Sequence, residues 1–312
     1  MMKIHRVTGL VRFAVLMTGA ALILSPAACV KVSQISGTPV TQTGNMVLIP
    51  AGEFKMGDPY KESYNDELPV HQVFVGAFYL EKYLVTGRQW KEVYDWAAAH
   101  GYEFDNAGLA EAGDHPVQTV NWYDVVKWLN ARSEKEGRTP AYYTDSARTA
   151  VYKTGRVDLT GGMVKWTSTG YRLPTEAEWE KAARGGLDGQ HYPWPSQGGD
   201  YFDHMDCTKA NNFNCNIGRT TPVGNYPANG YGLYDMAGNV WEWIWDWSDD
   251  GWYGRPGATE GDTRGPDSGS YRVQRGGGWN EIPFVQRCAC RGKRVAGYAD
   301  IFLGFRAASG RP

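Results

Sequence analysis

Two carboxylates, Asp235 and Glu242, bracket the turn Met236 to Val240, which contains a Gly and an Asn. Two hard oxygen groups around a turn whose carbonyls can point inward suit calcium, and the lack of His or Cys there disfavours zinc or copper. The same two residues also fit an Asx turn at Asp235 and an ordinary ion pair at Glu242. A second group clusters further along: Trp279, Glu281, Gln286, Arg287, Cys288, Cys290 and Arg291. A carboxylate beside an aromatic wall can serve as a general base or a weak iron ligand. Trp and Arg are frequent binding anchors. Cys288 next to Arg287 could be an activated thiol; alternatively, Cys288 and Cys290, two apart on a strand, are small core hydrophobes with solvated arginines around them. The six histidines are scattered and form no ligand set by spacing, and the cysteines have no zinc spacing.

These groups must be positioned by a chain of few helices and many loops. Thr86 opens a helical pattern through Trp90, Val93, Tyr94, Ala97 and Ala98 that stops at Gly101, with Thr86 as N-cap. Asn121 opens Trp122 to Glu136, with Asp124 at the capping-box position and Gly137 past the end. Thr175 and Glu178 make a capping box before Trp179, Ala182 and Ala183, ending at Gly185-Gly186. Met46 to Pro50 and Phe54 to Gly57 suggest a hairpin turning at Ala51-Gly52, and Val70 to Tyr79 reads as a further strand. Beyond the third helix, Gly, Pro, Asn and aromatics dominate, with short strand candidates at Tyr271 to Arg275 and Phe302 to Arg306. With no internal repeat, this is an α+β pattern in one domain, residues 46–312.

Five stretches carry a stronger signal: Gly230-Tyr-Gly-Leu-Tyr-Asp-Met-Ala-Gly-Asn-Val-Trp-Glu-Trp243, Tyr171-Arg-Leu-Pro-Thr-Glu-Ala-Glu-Trp-Glu-Lys-Ala-Ala-Arg-Gly185, Thr221-Pro-Val-Gly-Asn-Tyr-Pro, Arg275-Gly-Gly-Gly-Trp279 and Leu303-Gly-Phe-Arg306. In this order the chain, from Met46 to Ala307, resembles the formylglycine-generating-enzyme or sulfatase-modifying-factor family. The resemblance implies a modified C-type-lectin-like fold, low in regular secondary structure. That family includes copper-dependent oxidases that turn a sulfatase cysteine into formylglycine, iron-dependent ergothioneine-synthesis enzymes and pyoverdine-maturation proteins. The same broad fold also carries ligand-binding proteins. The resemblance further implies a calcium site using the Asp235 and Glu242 side chains with the Gly238 and Val240 carbonyls. A second calcium site would fall on Asn211 and Asn212, although its aspartate falls near Cys215 in this shorter loop, where Asn214 or Asn216 would have to substitute. The copper-binding cysteine pair of the oxidases, five residues apart, maps onto Glu281 and Gln286, and no shifted register supplies two thiolates at that spacing. Copper is therefore not expected, since Cu(I) prefers thiolates over a carboxylate and an amide. The His-rich domain of the ergothioneine enzymes is missing, and the sequence leaves a role for iron open. The resemblance places the Trp279 to Arg291 segment at the active cleft, with Glu281 and Cys288 as the reactive candidates.

Composition narrows the partner and compartment. A formal charge of -2 with no basic stripe argues against nucleic acid. Gly at 39 residues is high, but 42% hydrophobic residues and no G-X-Y period exclude collagen-like and disordered chains. Lys3, Arg6 and Arg12, the apolar run Phe13 to Leu24 and small residues before Cys29 read as an export signal over residues 1–28. The run falls short of the ~18 to 20 residues that span a bilayer. Cys29 fits a bacterial lipoprotein cleavage and lipidation site, followed by a Ser-, Thr- and Gln-rich tether over residues 29–45. The expected compartment is periplasmic or outer-surface, with membrane attachment through the N-terminal lipid or signal anchor. In that setting Cys207 and Cys215 could close a loop disulfide. Two functions fit: a maturation or modification factor for an exported protein, peptide or small molecule, and a non-catalytic ligand- or protein-binding domain on the envelope.

Overall fold

The computed structural model describes residues 42–62, 64–195 and 207–310. The expected signal, Cys29 and most of the tether lie outside them.

The three helices form where the caps stand. Helix α1 (Gly87–Ala98) starts at Thr86, whose side chain accepts from the Gln89 N–H while Gln89 returns the bond, a reciprocal capping box. Helix α2 (Trp122–Lys135) starts at Asn121, which accepts from the Asp124 N–H. Asp124 does not complete a capping box: its carboxylate accepts from the Asp105 and Asn106 N–H groups instead, holding a loop onto the helix. Helix α3 (Glu176–Arg184) has the Thr175–Glu178 capping box, and Gly185 closes it in the left-handed conformation. Glu178 also forks onto Arg172, so the cap is tied to the strand before it.

The strands depart from the local reading. Strands β2 (Met46–Ile49) and β3 (Gly52–Met56) do not form a hairpin: β2 pairs antiparallel with β5 (Phe78–Glu81), whereas β3 pairs with β4 (His71–Val75). The single strand expected over Val70 to Tyr79 is thus two, in two sheets. The larger sheet has the order β1 (Gln42–Thr43), β2, β5, β11 (Ala308–Gly310), β6 (Tyr171–Arg172), so the C-terminal strand sits beside early ones. A four-stranded sheet orders β10 (Leu303–Gly304), β7 (Trp241–Trp247), β8 (Arg272–Arg275) and β9 (Gly292–Arg294). Every residue of β7 is buried, so its Trp-rich sequence has no alternation to mark it as a strand.

One core cluster packs Trp90, Trp122, Trp128, Trp243 and Phe305 between α1, α2 and the second sheet. Trp90 and Trp128 stack at 5.6 Å between ring centroids, with Phe305 edge-on to both. A second cluster gathers Val47, Val73, Phe78, Trp179, Ile244 and Cys288 around α3. The indole N–H groups of Trp122, Trp128 and Trp243 each donate to a backbone carbonyl of another segment, so the tryptophans pin loops as well as fill space.

Candidate functional site

Three loops meet around Gln286. At the end of β8 the chain turns through Gly276 and Gly277, and the Gly276 carbonyl accepts from the Gly238 N–H at 2.8 Å. Trp279 N–H donates to the Asn239 carbonyl, and Asn239 N–H to the Asn211 carbonyl. Gln286 is fully buried, and its amide nitrogen donates to the carbonyls of Asn211 (3.2 Å) and Gly278 (3.0 Å). Gly238 is required at this junction. It has φ +78°, and an added Cβ would lie 2.2 Å from the Asn211 carbonyl oxygen. Gln286 therefore serves as an interior clamp between loops and is not a wall of an open cleft.

Glu281 lies at the rim, half-buried. Its carbonyl accepts from the Phe213 N–H at 2.9 Å, and the Trp241 indole N–H points at its carboxylate at 3.4 Å. Around it stand exposed apolar side chains: Phe213 is 63% exposed, Ile282 47%, and Ile301, whose carbonyl accepts from the Trp279 indole at 3.3 Å, 46%. Phe213 had no signal in a reading based on Glu281 alone, because it arrives from another loop.

The two cysteines are sealed. Cys288 belongs to the core around α3 and Cys290 to the other core cluster. Burial pushes both thiols up to about 12, so neither is a ready thiolate. This corrects the expectation of a reactive Cys288, since burial outweighs the downward pull of Arg287 on the thiol. Arg287 is itself buried, forking onto Glu67 at 2.8 and 2.9 Å. Arg291 likewise forks onto Glu176 at 2.7 and 3.0 Å and donates to the Asp66 carbonyl. The placement of Arg287 and Arg291 in a ligand cleft is corrected for the same reason: buried guanidiniums saturated by carboxylates have no face for a ligand.

In the loop expected to hold calcium, Asp235 accepts from the Gly224 N–H at 2.7 Å and Glu242 accepts from Arg306 Nε at 2.7 Å. Arg306 comes from the Leu-Gly-Phe-Arg stretch, 64 positions from Glu242, so only the fold joins it to this loop. Burial pushes Asp235 up to about 6 and raises Glu242, each carboxylate being out of water. Glu242 Oε1 is buried with only the Trp179 indole N–H nearby, outside good hydrogen-bond geometry, and Asn211 Oδ1 is buried without a hydrogen-bond partner. Unpartnered hard oxygens beside desolvated carboxylates are the chemistry a calcium ion would satisfy, so the residues fit that ion. Arg306 supplies part of the needed positive charge. Asn212 is otherwise engaged, its side-chain oxygen accepting from the Asn214 N–H. Cys215 forms a disulfide with Cys207 (Cα–Cα 5.3 Å). Among the described residues, no three His, Cys, Asp or Glu side chains gather as a metal-binding group.

The comparisons with known proteins agree with this architecture. Residues 31–310 match the family described as the sulfatase-modifying factor enzyme 1-like domain. The chain is 33% identical to the chaperone protein LppX of Paenibacillus barcinonensis, covering 83% of this chain and 86% of that one. It is 33% identical to the formylglycine-generating enzyme of Streptomyces coelicolor, covering 86% and 90%. It is 35% identical to the serine/threonine-protein kinase pkn1 of Chlamydia caviae over 85% of this chain, but spans only 38% of that protein's length. Among solved structures it resembles Treponema denticola variable protein 1 (TM-score 0.68, 28% identity, covering 87% and 98%) and PvdO from Pseudomonas aeruginosa (TM-score 0.66, 27%, covering 85% and 94%). With its five stretches in order and a family match over nearly its whole length, the chain belongs to the formylglycine-generating-enzyme, or sulfatase-modifying-factor, family and has that family's α+β fold.

Proposed function

We propose that this protein is an exported maturation or modification factor that engages its substrate at the Glu281 rim and does not oxidise cysteine through copper. The observation that carries this reading is the fate of the two copper-ligand positions. One is the carboxylate Glu281, and the other is Gln286, a buried amide committed to two backbone carbonyls. Hard ligands of this kind hold Cu(I) poorly. LppX, named a chaperone, and PvdO, of similar fold, are the relatives that support a maturation role. Glu281 would act as a general base or polar anchor, with Trp279 and Phe213 as apolar contacts. The Cys207–Cys215 disulfide favours an oxidising compartment, in keeping with the N-terminal export pattern and lipid attachment at Cys29. Calcium is proposed as a structural ion held by Asp235, Glu242 and the Gly238 and Val240 carbonyls; a second ion at Asn211 and Asn212 would have to share the Asn212 oxygen with the Asn214 N–H.

A second reading, a purely binding domain, draws on the exposed Phe213, Ile282 and Ile301 around Glu281, a surface suited to holding a partner. Oxygen uptake in the presence of copper and cysteine-containing sulfatase peptides tests the main reading. No uptake above buffer is expected; turnover to an aldehyde product would overturn it. Photo-crosslinking through Phe213 against purified exported proteins from the same cell separates the two. A captured protein chemically altered after exposure supports maturation, and one released unchanged supports binding alone.

A further inference from the structure

A cavity of about 250 Å³ lies between β5, α3 and the loop carrying Arg264, with Phe78, Trp166, Arg172, Glu178, Asp262 and Arg264 in its wall. It shares no residue with the Glu281 rim. Arg172 is buried, and its two terminal nitrogens are taken by Glu178 and the Leu173 carbonyl, yet its Nε–H is buried with no acceptor. A buried donor left unpaired costs about 1–3 kcal/mol in general, which makes it a mark of a missing acceptor. Arg264 is exposed and makes no hydrogen bond or ion pair among the described residues. Its guanidinium lies 4.3 Å from the Trp166 ring centroid. Arg172 sits over the same ring at 5.5 Å, so two guanidiniums share one indole. Partial loss of water around the otherwise exposed guanidinium and the charge of Arg172 hold Arg264 below the usual arginine range, against the pull of Asp262 and Glu178, and an added anion would relieve that condition.

The carboxylates nearby do not fill that role. Glu178 is spent on Arg172 and on the Thr175 N–H. Asp262 turns one oxygen to the Gly76 N–H at 2.6 Å and makes no ion pair with Arg264. Its negative charge still faces the cavity and opposes any incoming anion. Phe78 and the indole of Trp166 give the cavity an apolar wall beside these donors.

We infer that this cavity binds a small carboxylate bearing an apolar body, with the carboxylate on the Arg264 guanidinium in the positive field of Arg172 and the body against Trp166 and Phe78. A planar carboxylate matches the free guanidinium fork of Arg264, and the aromatic wall favours an organic acid over a bare inorganic anion.

The test is an NMR titration of the full chain with benzoate, and separately with inorganic phosphate, reading the Trp166 indole N–H, which donates to the Gly161 carbonyl. That signal is identified by its loss in Trp166→Phe. Benzoate should shift it saturably, with phosphate at least tenfold weaker. Arg264→Ala, at an exposed position, should weaken benzoate tenfold or more. Asp262→Asn keeps an acceptor for Gly76 but removes the opposing charge, and should tighten benzoate about threefold or more. Absence of saturation, equal binding of phosphate, an Arg264→Ala variant within twofold of the parent, or an Asp262→Asn variant no tighter than the parent would each overturn the inference.

Discussion

Replacing Arg287 with Ala separates a structural role from a ligand-binding one. In the structure the guanidinium makes two charge-assisted bonds to Glu67, at 2.8 and 2.9 Å, and its Nε–H donates to the Phe284 carbonyl. Both side chains are at or below 1% exposure. Removing the guanidinium takes two charge-assisted bonds from a buried carboxylate, and breaking a buried ion pair in this way generally costs about 3–5 kcal/mol. For a domain of this size that corresponds to a fall in melting temperature of roughly 6–20 °C. Denaturant unfolding measures the loss, and the double variant Arg287→Met with Glu67→Leu should recover part of it, because the Glu67 charge leaves with its partner while Asp58, 3.9 Å from the guanidinium, remains. A loss below about 1 kcal/mol, or a double variant no better than the single, would place Arg287 at the solvent-exposed surface instead.

Other outcomes follow from the same geometry. Alkylation of the native protein at pH 8, mapped by mass spectrometry, should leave Cys288 and Cys290 unmodified, since burial pushes both thiols up to about 12; labelling of either at the rate of a free thiol would contradict their burial. Gly238→Ala should destabilise the fold by about 2 kcal/mol or more, because the new Cβ meets the Asn211 carbonyl at a left-handed φ; an unchanged unfolding midpoint would count against the loop junction. Burial lowers Lys181 to about 8, so the unfolded chain binds more protons between pH 8 and the ordinary lysine value. Its contribution to stability is fully present above about 10.4 and is lost as pH falls through 8. With Lys181 only 5% exposed, the effect should be about 2–3 kcal/mol. Lys181→Met should flatten that part of the stability profile, and a persisting slope would assign it to another group.

The sequence announced its helices because caps are local: Thr86, Asn121 and Thr175 each stand within three residues of the amide they satisfy. Strand pairing was hidden because it is not local. Ala51-Gly52 looks like a hairpin turn, but the partner of β2 is β5, and β3 turns to another sheet. Strand β7 was hidden by burial on both faces. The same contrast governs the site. Glu281 and Gln286 could be identified from their place after the Gly276 to Trp279 turn. Nothing near Arg287 or Arg291 in sequence revealed that Glu67 and Glu176, 220 and 115 positions away, would bury them. Arginines beside a cleft motif read as binding residues until their carboxylates are seen. The rim residue Phe213 and the Glu242 partner Arg306 were likewise joined to their sites only by the fold.

On the proposed function, this family scaffold carries no thiolate copper centre. Competition of the purified protein against a chromogenic Cu(I) chelator tests it most directly. The protein should leave the chelator saturated, with the same result for Cys288→Ser and Glu281→Ala. Stoichiometric Cu(I) withdrawn by the parent protein, and lost in either variant, would contradict it.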